Sequence, residues 1–468
     1  MKQCCRFFIL VLMLFTGLKT YAQDSVKIFS LEAFLSQVIY AHPVARQAQL
    51  KNQIAKQQLR FARSAFDPAI KGDYYHKNFD GKTYFTQTEA NIVWPTWFGA
   101  EIKAGFENNY GAYLNPQETV PQQGLYGAGI SVPLLNGFLF DTRRSALAQA
   151  KIMVSFTEAE QQQSVNKLLL EAAKTYAEWF KSYNVLQLKQ EQFIIGENNL
   201  HAIRLRAKEG DLPYIDTVEA FTEKQRRLLD LRQAALNYNN ARNDIAQFLW
   251  DENAQPVFLK KDIVPSADFN FRIKEDENVQ VSIDRNFYIQ QLNFKLQYLE
   301  TEQRLWRENL KPTLNFQYQC LVPVAELNDA PFVTQGNKIG LQLSLPITWR
   351  KEACKNKMAG LKVDDAKFEI KNLQNNLLND INNTKNTLQN LQNMLVMQNT
   401  IINGVEQLQA AEQQKFGMGE STFFMLNARE NKLIDEKQKR FSLQSELLKH
   451  QAQYLYLTGR LTEKNIEK

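Results

Sequence analysis

Proline and glycine are sparse in this chain, 13 and 19 among 468 residues, and they cluster instead of punctuating the chain evenly. Long stretches therefore contain nothing that stops a helix. Histidine is rarer still: His42, His76, His201 and His450 are scattered, with no metal-ligand spacing among them. No phosphate-binding loop and no nucleophile elbow occurs. Paired acids such as Asp364-Asp365 lie in a helical stretch and read as solvated. These absences leave no catalytic, cofactor-binding or metal-binding residue to name, and they argue against an enzyme. Cysteine is limited to Cys4, Cys5, Cys320 and Cys354; the last two, far apart in sequence, read as unpaired small side chains, with a single disulfide between them as the alternative.

Apolar runs are short everywhere except from Phe7 to Phe15. Elsewhere nothing reaches the ~18 residues that a membrane-spanning helix needs. Lys2 and Arg6 precede that run and Thr20-Tyr21-Ala22 follow it, the layout of a secretory signal peptide over residues 1–22, cleaved after Ala22. A signal anchor is the alternative. Cys4 and Cys5 fall in its charged part, away from the cleavage site, so they do not read as lipid-attachment residues. Lys and Arg number 56 against 50 Asp and Glu, and removal of Lys2, Arg6 and Lys19 brings this to 53 against 50. A nearly neutral mature chain gives no argument for nucleic acid.

What is present in quantity is helical periodicity. From Ile347 to Lys468 the chain reads as two helices folded back at Phe416-Gly417-Met418-Gly419-Glu420. Leu377, Ile381, Thr384, Leu388, Leu391, Leu395, Gln398, Ile402 and Val405 step by four and three, the seam of a coiled coil. Nearly everything between them is Asn, Gln, Lys or Glu. A helix from Lys351 to Lys415 would be about 100 Å long. The second arm returns through Leu426, Leu433, Phe441, Leu447 and Leu455.

The same parts occur earlier in the chain. Ser30 caps a helix reaching about Phe66, interrupted by Pro43 and ended by Pro68. The period then changes to two: Tyr84, Thr86, Thr88, Ala90, Ile92 and Trp94 alternate with Phe85, Gln87, Glu89, Asn91 and Val93. Ala100, Ile102, Ala104 and Phe106 alternate likewise, with turns at Asp80-Gly81, Pro95 to Gly99 and Asn115 to Gly124. After Val132-Pro133-Leu134 a long helical pattern runs to Gly210, and a second runs from Tyr214 to Trp250. A proline-bearing connector, 251–277, leads to a helix from about Val279 to Leu310, and alternation resumes at Leu314-Phe316-Tyr318-Cys320 and Ile339-Leu341-Leu343-Leu345. The chain is thus expected to be a tandem repeat. The first copy covers 23–250, with strands over about 69–133 and a helical hairpin over about 137–250. The second covers 278–468, with strands over about 313–347 and a hairpin over about 350–459. Pro68 to Pro133 spans 65 residues and Pro312 to Pro346 only 34, so the first copy has room for an additional hairpin.

The fold class expected is mainly α with a β-barrel portion. Strands with one apolar and one polar side suit an outer membrane, where only a closed barrel pairs every backbone group. Four to six strands cannot enclose a pore, so closure requires several subunits. Trp94, Trp97, Trp349 and Tyr84 near strand ends suit an interfacial girdle; ordinary strand residues of a soluble sandwich are the alternative. The eleven asparagines between Asn372 and Asn403 suit a wetted tunnel wall, or simply a solvated face.

The order of parts, the Ser30-Leu31-Glu32-Ala33 opening with Ala41-His42-Pro43, the Val132-Pro133-Leu134-Leu135-Asn136-Gly137 entry to the long helix, and Gly210-x5-Asp216-x3-Ala220 together resemble the TolC family of outer-membrane efflux proteins. The resemblance covers nearly the whole mature chain. It implies a homotrimer in the cell outer membrane, with a shared β-barrel in outer-membrane lipid and an α-barrel tunnel crossing the periplasm. It also implies that the helical tips contact a periplasmic adaptor (membrane fusion) protein coupled to an inner-membrane transporter. Gly210, Asp211, Gly417, Gly419 and Glu420 are then the tip and adaptor-contact residues. Threefold symmetry would turn Asp216 and Glu219 into charged rings at the entrance, although acids at a helix start also favour the helix dipole. The family's acidic gate is not reproduced in the second tip. Phe423, Phe424 and Met425 stand there, giving a hydrophobic constriction or an adaptor contact instead. The function implied is a passive exit duct for drug efflux or type I secretion. The alternative is an exported periplasmic coiled-coil structural or adaptor protein without a membrane barrel.

Overall fold

The computed structural model describes residues 27–260, 262–266, 271, 283–326 and 336–461. The expected signal peptide, the middle and end of the connector, and the chain end after Leu461 lie outside them. The chain begins with β1 (Lys27–Phe29), α1 (Leu31–Ala41) and α2 (Pro43–Ser64). Ser30 caps α1 by accepting from the Ala33 N–H at 3.2 Å, and Pro43, which has no N–H to give, divides α1 from α2 at His42. Four strands follow, β2 (Ala69–Phe79), β3 (Lys82–Pro95), β4 (Glu101–Tyr110) and β5 (Leu125–Pro133). Helices α3 (Thr142–Glu209) and α4 (Tyr214–Ala246) complete the first repeat, and β6 (Ile263–Pro265) lies beyond it. The second repeat has α5 (Phe287–Glu308), β7 (Thr313–Pro323), β8 (Gly336–Ser344), α6 (Arg350–Gly417) and α7 (Phe423–Leu457).

Matching helices have matching lengths. Helices α2 and α5 have 22 residues each, and α3 and α6 have 68 each. The long helices start where proline stops and continue because no later proline interrupts them. Asp141 caps α3 by accepting from Arg144 N–H at 2.7 Å, and Thr422 caps α7 by accepting from Met425 N–H at 3.3 Å. The α6 seam is read correctly from sequence: Leu377, Ile381, Thr384, Leu388, Leu391, Gln398 and Ile402 are buried, with Leu395 and Val405 half-buried.

Helix packing follows two orders at two heights. Nearer the strands the order across the wall is α2, α3, α5, α6; nearer the turns it is α4, α3, α7, α6. Between these levels sits the main core, where Phe34, Leu35 and Val38 of α1 meet Leu169, Tyr176 and Trp179 of α3 and Ile245, Leu448 and Leu455. Burying such side chains contributes roughly 1.5–3 kcal/mol each. The expected linker also takes part. Strand β6 pairs in parallel with β1, the Tyr176 hydroxyl donates to Phe29 O at 2.7 Å, and Ser266 N–H donates to that hydroxyl at 3.0 Å. Leu259 and Ile263 pack on the core, so the described part of the connector is a strap around the middle of the molecule.

The other strands form one antiparallel sheet in the order β2-β3-β4-β5-β7-β8. The two repeats join at β5 and β7, where Ile130 stands opposite Tyr318. Asp80 and Gly81, with φ of 53° and 69°, make the tight β2–β3 turn. Cys320 and Cys354 are both free thiols.

Candidate functional site

Two regions answer to the sequence expectations: the helical tips and the sheet. At the first tip, Gly210 adopts φ 86° and closes α3, with its N–H donating to Ala207 O and the Asp211 N–H donating to Arg206 O at 2.9 Å. At the second, Gly419 adopts φ 78°, its N–H donates to Phe416 O, and the Glu420 N–H donates to Lys415 O at 2.9 Å. The two turns are the same left-handed cap, built twice. Gly417 is still within α6. A Cβ on Gly210 or Gly419 meets nothing within 4 Å, so strain there is purely backbone. Gly210→Ala and Gly419→Ala should each cost about 1–2 kcal/mol, read as a lower midpoint of thermal or denaturant unfolding, with additive effects in the double variant.

The structure splits the apolar segment after the second tip. Phe423 is only 3% exposed, packed with Leu200, Ile203 and Ala220 of the first hairpin, and Leu426 is equally buried. Phe423 therefore joins the two tips within one chain and is not a free lining residue. Phe424 and Met425, on the other side of the helix, remain exposed. Arg206 adds a second tie, its guanidinium lying 5.2 Å from the Phe416 ring centroid. Asp211 and Glu420 are exposed, whereas Asp216 and Glu219 are half-buried on α4. Partial burial, with the charges of Asp216 and Glu223, holds the Glu219 carboxyl above its usual range.

Above the tip lies a polar cluster that sequence reading missed. Arg227 of α4 is 1% exposed and donates to Glu223 at 3.0 Å, Glu430 at 2.7 Å, Asn427 at 2.8 Å and the Gln192 carbonyl at 3.2 Å. Asn199 donates to Glu430 at 3.2 Å, and Asn431 donates to Glu223 at 3.3 Å. One guanidinium thus binds α3, α4 and α7 together. Gly196 makes room for it, since a Cβ there would sit 2.7 Å from Arg227 Cδ. In the second repeat the equivalent position beyond the tip glycine is Glu436, which accepts from buried Gln398 at 2.7 Å. A glycine in the middle of a long helix is the signal that could have pointed to Arg227.

Among the described residues, the edge helices carry apolar stripes with nothing packed over them. On α4 these are Ile215, Val218, Leu229 and Leu236; on α6 they are Met394, Met397, Ile401 and Leu408. The α6 residues recur by three, four and seven, a second seam on a helix whose first seam is already buried. Nearer the strands, Leu50, Ile54 and Phe61 are exposed on α2, and Met358, Leu361 and Phe368 on α6.

The sheet divides just as sharply. Its ladder places Ile70, Ile92, Ala104, Ala128 and Cys320 in one row and Trp94, Ile102, Ile130, Tyr318 and Ile339 in another. All point to one face. The opposite face has Lys103, Gly129, Gln319 and Lys338 in one row and Glu101, Ser131, Gln317 and Gly340 in another. On the apolar face Ile70 is 81% exposed and Leu341 68%, with no protein layer over it among the described residues. Aromatic side chains stand at both ends of the strands: Trp94, Trp97 and Phe98 toward the helices, Phe79, Tyr84 and Tyr113 away from them. No described helix is long and apolar enough to cross a membrane.

No protein-family model matches the chain, and no curated protein matches it. Solved structures do. The open state of the Neisseria gonorrhoeae MtrE outer membrane channel superposes with a TM-score of 0.68 at 14% identity, over 92% of this chain and 90% of that one. The Campylobacter jejuni CmeC outer membrane channel gives 0.65 at 12% identity, covering 92% of this chain and 85% of that one. The Vibrio cholerae outer membrane protein VceC gives 0.64 at 12% identity, over 92% and 96%. At these identities the likeness is one of fold: this chain, with its stacked helical hairpins below an antiparallel sheet, has the TolC-like fold of outer-membrane channels.

Proposed function

We propose that this protein is an outer-membrane exit duct: three copies enclose a periplasmic tunnel with their helices and a membrane pore with their strands. The observation that carries this reading is the sheet face of Ile70, Ile92, Ile102, Ile339 and Leu341, large, apolar and uncovered. Water would penalise such a face heavily, lipid would not, and the polar face behind it suits a wetted lumen. The stripes on α4 and α6 are the matching requirement at tunnel level, each edge of one copy burying against the other edge of the next. Passive conduction needs no catalytic centre. It needs a polar wall, here rich in Asn and Gln, and a narrow entrance, which the tips provide.

At the tips, Gly210, Asp211, Gly417, Gly419 and Glu420 are the proposed contact with a periplasmic adaptor, through which an inner-membrane transporter delivers substrate. A groove between α3 and α4 lined by Arg204, Lys208, Tyr214 and Phe221 extends that surface. Asp216, Glu219, Phe424 and Met425 are the proposed constriction.

Fractionation tests location and assembly together. The protein should sediment with outer membranes, require detergent for release, and run as a heat-labile oligomer on gels. A detergent-independent periplasmic monomer would overturn the proposal and favour a coiled-coil structural or adaptor protein. Export reads the tips separately. Gly210→Pro and Gly419→Pro impose φ near −65° where the caps need positive φ, and each should impair efflux while outer-membrane insertion persists. Unchanged efflux in both variants would remove the tips from the mechanism.

A further inference from the structure

We infer that the β2–β3 hairpin is part of the barrel wall, so that each copy contributes six strands and the seam between copies pairs β2 of one with β8 of the next. The inference rests on the duct reading above and specifies how the duct closes.

Three observations carry it. First, the sheet ends at β2 and β8, so these are the strands left to mate. Strand directions alternate throughout the sheet, and β2 follows a helix whereas β8 precedes one, so a β8–β2 junction between copies is again antiparallel. Second, the strands stand on the right helices. Among the upper helices α2 and α6 are the outer members, α2 leading into β2 and α6 leaving β8. Their exposed stripes, Ile54 and Phe61 on one and Met358 and Leu361 on the other, call for the same neighbour. Joining copies through these helices carries β2 to β8. Third, in the half of the strands nearer the helices the apolar face continues into the hairpin: Ile70 stands opposite Ile92, and Ile92 opposite Ala104. A hairpin lying outside the membrane wall would not need to continue that face.

The register follows from levelling the strand ends. Ala69 then opposes Ser344, which places Ile70, Gly72 and Tyr74 against Leu343, Leu341 and Ile339, all on the apolar face. A one-residue slip would turn β8's apolar residues against β2's polar ones. Along one ladder row, Ile70 leads by way of Ala104 to Asn337, and across the junction to His76 of the next copy. The climb of about six residues per copy corresponds to a strand tilt of roughly 35°, the tilt of closed barrels. Three copies give roughly eighteen strands, a size that leaves an aqueous channel.

Disulfide trapping tests this in the full-length protein in outer membranes, after Cys320→Ser and Cys354→Ser remove the native thiols. Tyr74→Cys with Ile339→Cys should convert the monomer band into a covalent dimer and trimer ladder on mild oxidation, while either single cysteine gives no trimer. Tyr75→Cys with Ile339→Cys, on opposite faces, should give none. Ile54→Cys with Leu361→Cys reports copy-to-copy assembly at the helices independently. If that helical pair cross-links but Tyr74 with Ile339 does not, or if Phe106→Cys with Ile339→Cys cross-links instead, the hairpin is outside the wall and this inference falls while the duct reading stands. If both the helical and strand pairs fail and the protein is a soluble monomer, the duct reading falls with it.

Discussion

Arg227→Ala should loosen the turn-proximal half of the molecule by about 3–5 kcal/mol, the cost of leaving buried charges without their partner. Glu223 and Glu430 would both remain at a site where the side chains are 8% and 10% exposed. Arg227→Met should be nearly as damaging, because it restores volume but takes the guanidinium from Glu430 and leaves Glu223 only the more exposed Arg226. Arg227→Met combined with Glu223→Gln and Glu430→Gln should recover much of the loss, since the charges depart together. Hydrogen exchange of α4 and α7 beyond the main core would read the effect locally. Equal protection in wild type and Arg227→Ala would show that the cluster does not hold the tips.

The same cluster gives a pH dependence with a definite sign. Burial pushes the Glu223 carboxyl upward, but hydrogen bonds and charge from Arg226 and Arg227 outweigh it and hold the group below its usual 4.5. A carboxylate whose folded pKa is depressed contributes stability that is fully present above its unfolded value and is lost as pH falls through the folded one. Protection of α4 and α7 should therefore decline below about pH 4.5 in wild type. In Arg227→Met only Arg226 is left to oppose the burial effect, so the Glu223 pKa moves upward and the loss of protection on acidification should be smaller than in wild type.

Periodicity made most of the fold legible, because a seam or an alternating strand repeats its signal many times. The α6 seam, the tip glycines and the extra strand segment of the first repeat were all readable in this way. What was missed is carried by few residues or depends on an unseen neighbour. The second α6 seam, Met394 to Leu408, lay among Asn and Gln and shared its helix with a stronger seam. Phe423, Phe424 and Met425 looked alike as adjacent apolar residues until the first hairpin, packing on one side, buried Phe423 alone. Arg227 is one arginine on a polar helix, and only its meeting with Gly196, Asn199 and Glu430 from distant positions gives it meaning. The connector read as a linker because three residues of parallel strand, Ile263 to Pro265, produce no periodic signal.

Ala104→Arg offers the sharpest contrast between lipid and water as the environment of the sheet. Ala104 is exposed on the apolar face, between Ile92 and Ala128 in the ladder, and Gln317 is exposed on the polar face. In a soluble sheet both positions face water, and an arginine at either would change stability by no more than about 0.5 kcal/mol. In a barrel wall the two differ. Ala104→Arg places its charge near the middle of the bilayer at a cost of roughly 2–4 kcal/mol per copy, whereas Gln317→Arg directs it into the lumen at little cost. The yield of detergent-extracted, heat-labile oligomer should therefore fall at least tenfold for Ala104→Arg and stay near wild type for Gln317→Arg. Lys103, beside Ala104 and on the opposite face, already shows that charge is tolerated one residue away. If both variants assemble equally, the apolar face is not in lipid, and the strands must find their cover in another protein.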